Sequence, residues 1–111
     1  MNVRDLIEAF QAEMAGDGLL PGRAREILIQ LTALYGHCMK AQREADHAYA
    51  IVLLKFLDSD EAANRAKIRA QTSLEYLRKT EADNTLKVVL ESMRSLKSML
   101  NSLDTEMRLS R

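Results

Sequence analysis

Apolar residues recur at helical spacing along most of the chain, and the first such stripe lies near the N-terminus. Its members are Val3, Leu6, Ile7, Phe10 and Met14, which share one side of a helix predicted over about 3–15. Asn2 precedes the stripe as a predicted N-cap, and Asp5 follows three positions later, as in a capping box. The glycines of the segment AGDGLLPG interrupt the spacing and should end this helix.

A second helix is predicted over about 21–57. Pro21 suits its first turn, where a missing N–H costs nothing, and beyond Gly22 the only breaker before Leu57 is Gly36. A helix of about 36 residues spans roughly 55 Å, which is typical of a coiled-coil rod. The segment LDSDEAAN then offers a turn and N-terminal acids, and no Pro or Gly follows it. One third helix is therefore predicted over about 60–107.

The second helix carries a seam of apolar residues at alternating spacings of four and three. The seam consists of Ile27, Leu31, Leu34, Cys38, Ala41, Ala45, Ala48 and Val52. Its later members are mostly alanines. The third helix begins with Ala63, Ala66 and Ala70, so the small residues of the two helices can face each other and let the backbones approach closely. The predicted fold is all-α, a single helical domain over 1–111 with a short N-terminal helix and a long, coiled-coil-like antiparallel helical hairpin.

The C-terminal part of the predicted third helix carries a second apolar seam. This seam consists of Val89, Met93, Leu96, Leu100, Leu103 and Met107, and it is flanked by Val88, Leu90, Met99 and Leu109. We expect the first helix to pack against the stretch from Leu96 to Met107 and to cover only part of so wide a stripe. Because a monomer would leave several of these side chains in water, the sequence predicts a homodimer held mainly by this seam.

Composition and charge narrow the function classes. The chain has 111 residues, with 16 Lys and Arg against 16 Asp and Glu, and a single cysteine. Balanced charge gives no overall field that attracts polyanions, and one cysteine excludes an internal disulfide framework. The N-terminal run contains acids, unlike a secretory signal, and no apolar stretch reaches the roughly 20 residues that span a bilayer. We therefore expect a soluble cytoplasmic protein without membrane contact.

The segment GHCMKAQREADH, residues 36–47, concentrates the candidate metal ligands. Glu44 and His47 share a helical face, as in di-iron bundles, but neither Glu75 nor Glu81 begins the second Glu-x-x-His that such a site needs. Cys38 falls on the apolar seam, where a thiol packs as a small hydrophobe. The sequence also lacks a phosphate-binding loop and a nucleophile elbow. We expect no metal, no cofactor and no enzyme activity.

One face of the predicted third helix indicates an alternative function. Its members are Arg65, Arg69, Thr72, Tyr76 and Lys79, which recur at helical spacing. Basic residues around a tyrosine can follow a phosphate backbone and stack a base. Glu61 and Glu75 are placed to neutralise Arg65 and Lys79, which favours an ordinary solvated face. The alternative is a nucleic-acid-binding accessory protein of replication or recombination.

The closing stretch LESMRSLKSMLNSLDTEMRLSR resembles the C-termini of small helical accessory proteins encoded by bacteriophages. The resemblance covers about the last third of the chain and transfers no functional residue. It implies a protein of the bacterial host cytoplasm that binds another protein, such as a component of host defence or of replication. With the apolar seams, it leads us to expect a noncatalytic, self-associating adaptor or inhibitor whose protein partner the sequence does not name.

Overall fold

The computed structural model describes residues 2–59 and 62–109, in which all regular secondary structure is α-helical. Four helices follow one another along the chain: α1 (Val3–Ala15), α2 (Pro21–Leu57), α3 (Ala63–Gln71) and α4 (Leu74–Leu109). The predicted all-α fold class is therefore confirmed. The first two helices have the bounds that periodicity, Asn2 and Pro21 indicated.

The start and end of α1 follow from local chemistry. The Asn2 side-chain oxygen accepts a hydrogen bond from the backbone N–H of Asp5 at 2.8 Å, which satisfies a donor that the first turn leaves unpaired. At the other end, Gly16 donates to the carbonyls of Ala12 and Glu13. Gly18 follows with a φ of 84°, a conformation that glycine adopts without steric cost. The chain is thereby redirected before α2 begins.

The prediction of one third helix over about 60–107 is wrong, because α3 ends at Gln71 and α4 begins at Leu74. The Thr72 hydroxyl donates to the Arg69 carbonyl at 2.7 Å, and the Ser73 hydroxyl donates to the Ala70 carbonyl at 2.5 Å. The Ser73 oxygen also accepts from the backbone N–H of Tyr76 at 3.2 Å and so caps the new helix. Helix α4 then continues without interruption through residues 78–85. The predicted start at about residue 60 lies outside the described residues.

The chain divides into two compact units, and the division falls within α2 and within α4. Unit 1 comprises Met1–Gly36 and Lys87–Arg111, and unit 2 comprises His37–Leu86. The prediction of a single domain over 1–111 stays a prediction.

Unit 1 has a core to which three helices contribute. Its buried residues are Ile7 and Phe10 of α1, Ala24, Ile27 and Leu31 of α2, and Val89, Ser92 and Leu96 of α4. The apolar stripe of α1 is thus used, as its periodicity predicted. A two-pronged ion pair joins α1 to α2, with Arg23 Nη2 at 2.7 Å from Glu13 Oε2 and Arg23 Nε at 2.9 Å from Glu13 Oε1.

Unit 2 pairs α2 with α4 largely through polar side chains. Gln42 donates to Asp83 at 2.9 Å, Lys79 lies 3.6 Å from Asp46, and the ring centres of Tyr49 and Tyr76 are 5.3 Å apart. The contacts follow opposite orders along the two helices. Gln42, Asp46 and Tyr49 of α2 meet Asp83, Lys79 and Tyr76 of α4 in turn, so both sets are spaced by four residues and then by three. Among the described residues of unit 2, only Cys38, Ala66 and Ala70 are buried, and all three are small.

The members of the predicted alanine seam differ in burial, and Ala66 and Ala70 of α3 are fully buried. Ala41 and Ala63 are exposed, and Ala45 and Ala48 are only half-buried. Polar residues on a neighbouring face of α2 make contacts with α4. Lys79 of α4 reaches the Asp46 carboxylate of α2 across this contact and the Asp83 carboxylate one turn along its own helix.

Candidate interaction surface

Unit 2 exposes large aliphatic side chains although it buries only small residues. Six of them lie between residues 51 and 77 and form what is called here the aliphatic surface: Ile51, Leu54, Leu57, Ile68, Leu74 and Leu77. Their exposed fractions run from 43% for Ile51 to 63% for Ile68. Scattered single apolar residues are normal at protein surfaces, whereas a local concentration marks a candidate binding surface.

Helix geometry explains why these side chains face solvent. On α2, the side chains of Gln42, Asp46 and Tyr49 point toward α4. Leu54 points in a direction that is rotated from theirs by about a third of a turn around the helix axis. Leu77 is displaced from the contact residues of α4 in the same way. The two helices therefore meet through one set of residues and present another set to water.

The register of the helix pair places parts of the aliphatic surface at one level. Tyr49 and Tyr76 are in ring contact, and Ile51 and Leu74 lie two residues beyond them in the direction of α3. Leu54 lies one turn beyond that level toward α3, and Leu77 lies one turn beyond it in the direction away from α3. The surface thus draws on both long helices of the unit.

A cluster of charged and polar groups borders the contact between α2 and α4. The Lys79 ammonium lies 3.0 Å from Asp83 Oδ2 and 3.6 Å from Asp46 Oδ1, and Asp83 also accepts from Gln42. The hydrogen bond to Asp83 is the main cause that raises the pKa of Lys79 above its usual value. Such a lysine stays protonated at neutral pH, so it serves as a structural cation and not as a general base.

The metal-ligand candidates of residues 36–47 do not converge. His37, Glu44 and His47 are exposed, and Cys38 is buried, where desolvation raises the pKa of its thiol. Within residues 2–59 and 62–109, no three His, Cys, Asp or Glu side chains come together as a metal site would require. Cys38 accordingly packs as a small apolar residue, and the expected absence of a metal stays a prediction.

The residues of the alternative nucleic-acid face lie on two helices instead of one. Arg65 and Arg69 belong to α3, whereas Tyr76 and Lys79 belong to α4, beyond the interruption at residues 72–73. Tyr76 packs on Tyr49, and Lys79 pairs with Asp83 and Asp46. The picture of one continuous basic stripe is therefore wrong, because Ser73 caps a new helix in the middle of it.

The predicted self-association residues divide between core and surface. Val89 and Leu96 are fully buried within unit 1, while Met93, Leu100 and Leu103 are half-buried. Met107, at the far end of the seam, is 61% exposed. The first part of the seam thus already packs inside the chain, because α1 and α2 cover it.

Sequence reasoning missed the aliphatic surface, although a signal for it exists. Ile51, Leu54 and Leu57 recur at intervals of three, as do Leu74 and Leu77, and none of them belongs to the predicted seams. Such a second apolar stripe on a helix that already has one indicates two buried faces. The Ser73 cap was also missed, with Glu75 following it in the first turn of α4.

A groove in unit 1 lies between α1 and α4. It is lined by Gln11, Met14 and Ala15 on one side and by Val88, Glu91, Ser92 and Ser95 on the other. The groove is open to solvent, whereas typical small-molecule pockets enclose most of the surface of their ligand.

Comparisons with known proteins add no relative. The chain matches no protein-family model, and neither the curated proteins nor the solved structures include a significant match to it. In the part of the chain that the structure describes, no helix combines the length and the apolar character needed to cross a membrane.

Proposed function

We propose that this chain is a noncatalytic helical protein that acts by binding protein chains, including copies of itself. The aliphatic surface is the single observation that carries the proposal, since its six side chains are 43–63% exposed. Soluble proteins that act alone seldom expose a large concentration of apolar area, and proteins that bind others do so at their interfaces.

The long antiparallel, coiled-coil-like hairpin belongs to the same proposal. It is supported in unit 2 by the reversed order of the contacts from Gln42–Asp83 to Tyr49–Tyr76 and by their spacings of four and three. Paired helices of this kind present elongated, rigid surfaces, which suits a protein whose activity is contact. The resemblance of the C-terminal stretch adds the proposal of a phage accessory protein or host-defence inhibitor in the bacterial cytoplasm.

The oligomeric state is the first test of this function. The mass in solution would be measured by light scattering coupled to size exclusion, from low micromolar to about 100 μM chain. A mass that rises with concentration above the 12.6 kDa of one chain supports self-association. A constant mass of one chain, with full helicity by circular dichroism, contradicts it.

Helix α3 favours binding of nucleic acid as a second candidate function. It carries Arg65, Lys67 and Arg69 and no acidic residue between Ala63 and Gln71. A gel-shift series over salt concentration separates the two candidates, because contacts with phosphates weaken steeply as salt rises. Salt-sensitive binding of DNA or RNA near physiological ionic strength would favour an accessory role in replication or recombination, and absence of binding would remove it.

A further inference from the structure

We propose that a second copy of this chain docks on the aliphatic surface of unit 2, so that two helix pairs stack as the layers of a four-helix arrangement. The inference rests on the proposed self-association and adds its location. It replaces the C-terminal seam with a different part of the molecule as the principal contact.

Part of the aliphatic surface lies on one side of the pair formed by α2 and α4. Counted at about 100° per residue from the contact residues, Leu54 and Leu57 on α2 turn to the same side as Leu77 on α4, because antiparallel helices wind in opposite senses when viewed from one end. Cys38, which is buried, turns to the other side. One side of the pair therefore carries exposed Leu54, Leu57 and Leu77, whereas Ile51 and Leu74 point away from the helix contact on opposite edges of the pair. A partner can cover the side with the three leucines without disturbing the polar contacts between the helices.

Unit 2 lacks a core of large apolar side chains among the residues that the structure describes. Stable domains bury an apolar core between at least two packed layers. Unit 1 buries large residues from α1, α2 and α4, whereas the described part of unit 2, which combines α2, α3 and α4, buries only Cys38, Ala66 and Ala70. A second helix pair laid on the aliphatic surface supplies a layer that covers its large side chains, as in bundles assembled from two helical hairpins.

The available area suits a dimer of modest size. The three leucines on this side are 44–58% exposed and offer an apolar area on the order of 300 Å² per chain. A specific interface of standard size buries about 800 Å² on each partner, of which the apolar centre is the largest part and a polar rim the remainder. The aliphatic surface can form such a centre.

The charge of unit 2 permits it to meet itself. His37–Leu86 contains eight Lys and Arg and eight Asp and Glu, so two copies carry no net charge that would repel. A pairing about a two-fold axis presents the same surface on both chains, and a neutral surface of mixed signs can satisfy its own charges across that axis.

Two variants test this location. The first is Leu54→Glu, and the second is Leu77→Glu, which places a carboxylate on the other helix of the aliphatic surface. Because the two side chains are 58% and 51% exposed in the single chain, each variant should keep the wild-type circular dichroism. Each is expected to weaken the dimer about tenfold or more, as loss of a central contact does. Leu54→Gln provides a neutral variant in case an added charge alters folding.

Matched controls lie in unit 1. Ile29→Glu and Met107→Glu change side chains that are 70% and 61% exposed and lie outside the aliphatic surface, and both are expected to leave the dissociation constant of the dimer unchanged. Sedimentation equilibrium of all five variants beside wild type gives the dissociation constants.

The outcomes separate the location from the function on which it rests. Loss of the dimer in the unit 2 variants with retention in both controls supports the inference. A wild-type dimer that Met107→Glu abolishes and Leu54→Glu does not would overturn the location and leave self-association intact. A wild-type chain that is monomeric throughout would overturn both.

Discussion

Unit 1 and unit 2 share two long helices yet are held together in different ways. In unit 1, Phe10 and Leu31 lie in a core with Leu96, and the buried side chains are mostly large. In unit 2, the same two helices meet through Gln42, Asp46 and Lys79, and the buried residues that the structure describes there are a cysteine and two alanines. Each unit adds a third helix to these two, α1 in unit 1 and α3 in unit 2. Helix α1 buries the large side chains of Ile7 and Phe10, whereas α3 buries only Ala66 and Ala70, so the two units differ in the size of the side chains that the third helix brings to the packing.

The largest effect on stability is expected when a large side chain is removed from the core of unit 1. Phe10→Ala removes a ring that is 3% exposed and is expected to lower the free energy of unfolding by about 3–5 kcal/mol through lost burial and the cavity left behind. Urea unfolding followed by circular dichroism measures the loss. Ile29→Ala, at a position that is 70% exposed, is the control and should change stability by less than about 0.5 kcal/mol. Equal effects of the two variants would contradict a unit 1 core centred on α1.

A smaller effect is expected when the close contact in unit 2 is overfilled. Ala70 is fully buried in α3, and Ala70→Leu should cost about 1–3 kcal/mol because the added atoms force neighbouring backbones apart. Ala63→Leu, on the same helix at an exposed position, supplies the control and should be close to neutral. Thermal unfolding reports both. A neutral Ala70→Leu would mean that unit 2 has room for a large side chain and is not limited to small ones.

The smallest expected effect concerns the polar contacts of unit 2. The pKa of Lys79 is raised in the folded chain, so its contribution to stability is fully present below the unfolded pKa of about 10.4 and is lost as pH rises through the folded value. Because the side chain is partly exposed, the contribution should be less than about 1 kcal/mol. Lys79→Met should reduce the fall in stability between neutral and strongly alkaline pH, whereas Lys67→Met, at an exposed position of α3, should leave it unchanged. Parallel curves for Lys79→Met and wild type would exclude this ion pair as a source of stability.

Much of the fold could be predicted because its strongest signals are local. Asn2, the glycines before Pro21 and the periodic apolar residues indicated α1 and α2 with their bounds. The end of α3 could not be predicted in the same way, because Thr72 and Ser73 are also tolerated inside helices. Their hydroxyls end a helix only when the surrounding packing favours the bonds to Arg69 and Ala70.

The candidate interaction surface could be predicted less well, for a related reason. A periodicity argument assigns apolar residues to the core and polar residues to solvent. In unit 2 this assignment fails for Leu54 and Leu77, which are exposed, while half-buried Lys79 pairs with Asp46 of α2 and with Asp83 of its own helix. Which apolar face is covered depends on the side chains that neighbouring helices bring to it, and these are not a property of any single helix.

The interruption at Thr72 and Ser73 also changes the direction in which successive side chains point around the helix axis. Along an uninterrupted helix, the buried alanines of α3 and the α2-contacting residues of α4, such as Lys79, would point in directions about a third of a turn apart. The interruption contains neither Pro nor Gly, and it frees the buried side of α3 from this fixed offset. Because the rotation of about 100° per residue holds only along a continuous helix, the two residues between Gln71 and Leu74 decide how the side chains of α3 are directed relative to those of α4.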